Sequence, residues 1–124
     1  MARKKVKNAP TPEQVDFFYT RLEHYQKLLN LLDWRVERGG LASKGNIADV
    51  DLSLEDKLAT VRLGDNWENT KIDEKSIDQA AAHEMVHIFL YSLIEASKSR
   101  DPAAIATAEH SVVVILERIL SGNI

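Results

Sequence analysis

Val15, Phe18, Leu22, Tyr25, Leu28, Leu29 and Leu32 recur at the three- and four-residue spacing of one helix face. Thr11-Pro12-Glu13-Gln14 stands just before them, with Thr as N-cap, Pro in the first turn and Gln placed to close a capping box. A helix over 12–30 follows. The period then changes to two. Trp34 and Val36 oppose Asp33, Arg35 and Glu37, which predicts a short strand over 32–38. Gly39-Gly40 and Gly45-Asn46 read as the two ends of a flexible loop. Ala48, Val50, Leu52 and Leu54 alternate with Asp49, Asp51, Ser53 and Glu55. After a turn at Glu55-Asp56-Lys57, Ala59, Val61 and Leu63 alternate with Thr60 and Arg62. Two further strands are expected. Residues 65–75 are polar and loop-like. Ser76-x-x-Gln79 reads as a second capping box, opening an apolar helix through Ala96, and Asp101-Pro102 opens a last helix ending near Ser121.

The order is α-β-β-β-α-α, with no internal repeat. It predicts one α+β domain over 11–124, a small three-stranded, antiparallel-leaning sheet packed by helices, after a flexible basic tail over 1–10. The 124 residues are 44% hydrophobic and 28% charged, enough for about two-thirds of the unfolded surface to be buried. There is no Cys, which excludes disulfide staples and any Cys-ligated zinc site. No apolar run approaches the ~18 residues of a membrane span, and no apolar stretch follows the N-terminal charges as in a signal peptide. The expected location is therefore cytoplasmic, with no membrane partner. Net charge is −3. Arg3, Lys4, Lys5 and Lys7 supply four of the sixteen basic residues, so the remainder carries twelve basic against nineteen acidic groups. Such an acidic body is a poor nucleic-acid binder, the basic tail apart.

Chemistry concentrates in one run, His83-Glu84-Met85-Val86-His87, which fits H-E-x-x-H. On a helix, His83 and His87 share a face and can hold one tetrahedral zinc. Glu84 projects about 100° away, where it can act as a general base without binding metal. A random shuffle of this composition yields the pattern in roughly one chain in a hundred, so its setting matters. The run falls inside a helix with its own start signal. The bland alternative is two His and a Glu at the core edge, hydrogen-bonded to backbone or water.

A zinc site needs a third protein ligand. Glu109 lies in phase with Ile105, Val112, Leu116 and Leu120, at the centre of the last helix's apolar stripe, where an unpaired carboxylate is costly. It is the favoured ligand. The other readings are an ion pair with Arg100 or Arg118, or a tilted helix that exposes it. His110, about 100° round the helix, is the alternative ligand or a transition-state donor, or simply a surface or boundary His. Tyr91, one turn after His87, could also donate, although packing explains it as well. His24 belongs to the polar side of the first helix. Trp34 and Trp67 read as packing residues.

With HEMVH and a following Glu109, the chain resembles the gluzincin branch of zinc metallopeptidases. Its size and element order are similar to the minimal members called minigluzincins and to small phage-type metallopeptidases. The resemblance covers 12–121 as architecture, but its specific motifs are HEMVH and Glu109 alone. It implies a minimal zincin-like fold, a zinc cofactor, a peptide or unfolded-protein substrate, and a strand at 58–63 that borders the cleft and pairs with extended substrate. Two features depart from the family. Val112 and Val113 occupy the turn where many members carry a supporting acid, and 124 residues leave no room for a second, helical wall. SprT-like proteins also use an HEMxH helix but bring a third His soon after it, and residues 88–109 contain none.

Zinc-dependent peptide-bond hydrolysis is thus the leading expectation. The alternatives are a catalytically weak or inactive zincin-like module for metal binding or protein contact, or a phage-derived assembly or regulatory protein. Substrate preference and oligomeric state stay open.

Overall fold

A computed structural model describes residues 7–42 and 45–121. The elements run in the expected order: α1 (Pro12–Leu28), β1 (Arg35–Ala42), β2 (Ala48–Ser53), β3 (Leu58–Gly64), α2 (Glu74–Ser99) and α3 (Pro102–Ser121). The architecture is α+β, with three helices and one three-stranded sheet.

Thr11 begins α1 as read from the sequence. Its hydroxyl accepts from the Gln14 backbone at 3.2 Å, and the Gln14 side chain accepts from the Thr11 backbone at 2.8 Å. Phe18 and Leu22 are buried from this helix, whereas Leu32 is exposed, because the helix ends at Leu28 and the chain turns through Asn30 in the left-handed region. The sheet is mixed rather than antiparallel. Its order is β1-β3-β2, with β1 parallel and β2 antiparallel to β3. β3 is therefore central, and Ala59, Val61 and Leu63 are wholly buried from it. Full burial of a Val or Leu contributes on the order of 1.5–3 kcal/mol. α1 and α2 supply the facing layer through Phe18, Leu22, Ile77, Ala81, Met85 and Ile88. The Tyr19 hydroxyl ties the layers by donating to the Val61 carbonyl at 2.7 Å.

Gly39 and Gly40, expected at a loop edge, instead lie within β1. The register with β3 shifts between Arg38 and Leu41, and Gly40 takes a φ of 79° at that bulge. Residues 7–10 also depart from the expected tail. Lys7 pairs with Asp65 at 3.0 Å, the Asn8 side chain donates to the Glu68 and Thr70 carbonyls, and Pro10 is buried. The rest of that segment, 1–6, lies outside the described residues. Among the described residues, no helix is long and apolar enough to cross a membrane.

Candidate metal centre

α2 starts three residues earlier than the Ser76 box implied. Asp73 is the N-cap: its carboxylate accepts from the Ser76 backbone at 2.8 Å, and the Ser76 hydroxyl accepts from the Asp73 backbone at 3.0 Å. From that start, Ile77, Ala81, Met85 and Ile88 face the core with at most 1% exposure. Met85, in the middle of the HEMVH run, fixes the rotation of the helix. His83 and His87 are thereby turned to solvent, and Glu84 is turned inward at 5% exposure.

His83 Nε2 and His87 Nε2 stand 3.1 Å apart, with ring centroids at 4.7 Å and planes at 80°. Without metal, one ring in the donor tautomer can hydrogen-bond the other. Two zinc–nitrogen bonds of about 2.0–2.1 Å at a tetrahedral opening separate the nitrogens by ~3.3 Å, close to this spacing. Glu84 accepts no hydrogen bond from any described residue. Burial raises its pKa above the ordinary carboxylic-acid value, the His87 and His83 rings oppose that rise, and the charge of Asp49 adds to it. Asp49 and Asp51 flank Arg62, both at 2.7 Å.

A cavity of about 470 Å³ opens beside the run, lined by Asn46, Ile47, Ala48, Trp67, His83 and Glu84 among others. Its wall combines α2 with the start of β2, the edge strand that α2 touches. The expectation that 58–63 borders the cleft is corrected here. β3 is hydrogen-bonded on both sides, so its backbone is spent, and the open edge beside the His pair belongs to β2. Asn46, Ile47 and Asp49 were missed in the sequence, where Gly45-Asn46 read only as loop and Asp49 only as the polar half of an alternation.

Glu109 is not brought to the pair. Among the described residues, no third His, Asp or Glu joins His83 and His87 in a group that could hold a metal. Glu109 is exposed rather than central to a buried stripe. The cause is that α3 is apolar on two adjacent rows. Ile115 is buried, with Val112 and Ile119 packed against the core, while Val113, Leu116 and Leu120 are left exposed. Glu109 belongs to the outer row. His110 is also exposed and lines a separate cavity of about 820 Å³, with Trp34, Phe89, Leu93, Ala108 and Ile115. Tyr91 packs edge-on to Trp34, centroids 6.2 Å apart. His24 is exposed on α1 against Tyr25, and Trp34 and Trp67 are core residues. No protein-family model, curated protein or solved structure matches this chain.

Proposed function

We propose that the chain is a zinc-dependent peptide hydrolase of minimal gluzincin-like design. The observation that carries this reading is the 3.1 Å pairing of His83 and His87 Nε2 beside the largely buried Glu84, which lines the same cavity and accepts no hydrogen bond from any described residue. His83 and His87 would hold the ion, with a carboxylate completing the set. Bound zinc would supply Lewis acidity, polarising a carbonyl and acidifying water.

The chain's own residues account for the remaining steps. Glu84 takes the proton of the attacking water and returns it to the leaving amine. The free edge of β2 offers backbone groups to an extended peptide, and the wall at Asn46–Ala48 and Trp67 keeps that peptide against α2. An extended edge favours a flexible peptide or unfolded protein over a folded one.

The purified protein is expected to contain one zinc per chain by metal analysis, lost in His83→Ala and His87→Ala. Zinc retained in both variants would overturn the site. Glu84→Gln is expected to keep zinc and lower cleavage of an unfolded protein by ~10²–10⁴-fold. The lack of a third ligand beside the pair among the described residues favours a second reading, a zincin-like module that holds metal without turnover. Wild-type protein that binds zinc but cleaves no unfolded substrate would establish it.

A further inference from the structure

Among the described residues β2 pairs with β3 alone, so its other side keeps a row of unbonded backbone groups beside the cleft of His83 and Glu84. Its side chains divide by face. Ala48, Val50 and Leu52 pack towards the helices. Asp49 and Asp51 project from the other face. There Arg62 of β3, the register partner of Asp49, reaches both carboxylates at 2.7 Å. One guanidinium between two carboxylates leaves one negative charge over. That charge is held at the surface, because the Asp51 side chain is 74% exposed against 21% for Asp49. The adjoining chain adds to it. Residues 46–56 contain four acids, Asp49, Asp51, Glu55 and Asp56, and no Lys or Arg. Lys57, next along, is turned to Asp33 and to the Trp34 ring.

An edge with this charge selects what pairs with it. A strand laid against β2 places the residues beside Asp49 and Asp51 on the same face as those carboxylates, whichever way it runs. An acidic side chain there meets like charge. So does a second copy of β2, which is how a charged edge deters self-pairing. A Lys or Arg there meets opposite charge. The residue between the two turns to the side of Val50, towards the helices, where an apolar group fits. We propose that the peptide taken by this cleft is basic, with Lys or Arg at two positions two residues apart, beside Asp49 and Asp51, and an apolar residue between them. The inference rests on the peptide-cleft reading given above and names its substrate class. The backbone edge and the cavity hold the peptide, and the acids choose it. Asp51 determines the choice, since Arg62 balances one carboxylate and Asp49 is the one in register with it.

Binding of dye-labelled peptides to the Glu84→Gln protein, read by fluorescence anisotropy, tests the preference apart from cleavage. The probes share Gly/Ser flanks and differ at the centre: Lys-Val-Lys, Ser-Val-Ser or Glu-Val-Glu. The Lys peptide is expected to bind about tenfold more tightly than the Glu peptide, with the Ser peptide between them. Asp51→Asn should bring the three within about twofold, because Arg62 then balances Asp49, and Asp51→Lys should reverse the order. Glu117→Lys makes the same change of net charge on α3 and should leave the order as it is. Asp51 and Glu117 are both exposed, so these variants are expected to fold as the wild type does. Equal affinity for the three peptides, binding of none, a preference that survives Asp51→Asn, or an order that Glu117→Lys also reverses overturns the basic specificity. Turnover by the wild type separates this outcome from failure of the underlying reading. Cleavage of all three at equal kcat/KM leaves a hydrolase without the preference. Selective binding of the Lys peptide without cleavage leaves the preference and removes the hydrolase.

Discussion

Asp73 decides where α2 begins, ten and eleven residues before His83 and Glu84. Its pKa is lowered, first by the hydrogen bond from the Ser76 backbone and then by that from the Ser76 side chain, with Lys71 and Lys75 adding to the effect. A carboxyl whose folded pKa is depressed stabilises the fold above its unfolded value and loses that contribution as pH falls through the folded one. Asp73→Ala is therefore expected to lower Tm at neutral pH, with the difference from wild type shrinking below the ordinary carboxylate range. Asp73→Asn keeps the cap hydrogen bond and should flatten the acid limb of the curve. Thermal melts between pH 2 and 7 check both. The cap was hidden in the sequence because Ser76…Gln79 matches the usual box, whereas Asp73…Ser76 closes one with Ser in the Glu/Gln place. The HEMVH register was legible regardless, since Met85 and Ile88 stay in phase with Ile77 and Ala81 wherever the helix starts.

At the scale of elements, alternation told which side of each strand is buried but not which strands are neighbours. Val61 alternates in the same way in a central or an edge strand, so the β1-β3-β2 order and the parallel pairing were not readable. That order moves the open edge from 58–63 to 48–53 and gives Gly64 a purpose. A Cβ there would clash with the Asn46 carbonyl oxygen and come within 3.0 Å of that of Ile47, in the loop that walls the cleft. The contact is with backbone, so the chain must move. Gly64→Ala is expected to destabilise by ~1–3 kcal/mol in urea unfolding. Cleavage should fall further than stability accounts for, because Asn46 and Ile47 shift away from α2. An unchanged urea midpoint would show that the 45–47 loop yields freely.

At the scale of the molecule, stability is unevenly distributed. α1, β3 and the first half of α2 share the core, whereas Ile115 is the one buried residue of α3, and α3 makes its one extensive contact with α2. An element tied down by so few buried side chains opens more readily than the global transition. Native-state hydrogen exchange of dilute, metal-free protein should therefore show α3 amides exchanging well before those of β3 and of residues 77–88. The sequence could not rank them, because α3 is among the most apolar segments of the chain; its two apolar rows leave one without a partner. Exchange of α3 as slow as that of β3 would mean that its inner row alone is sufficient to hold it.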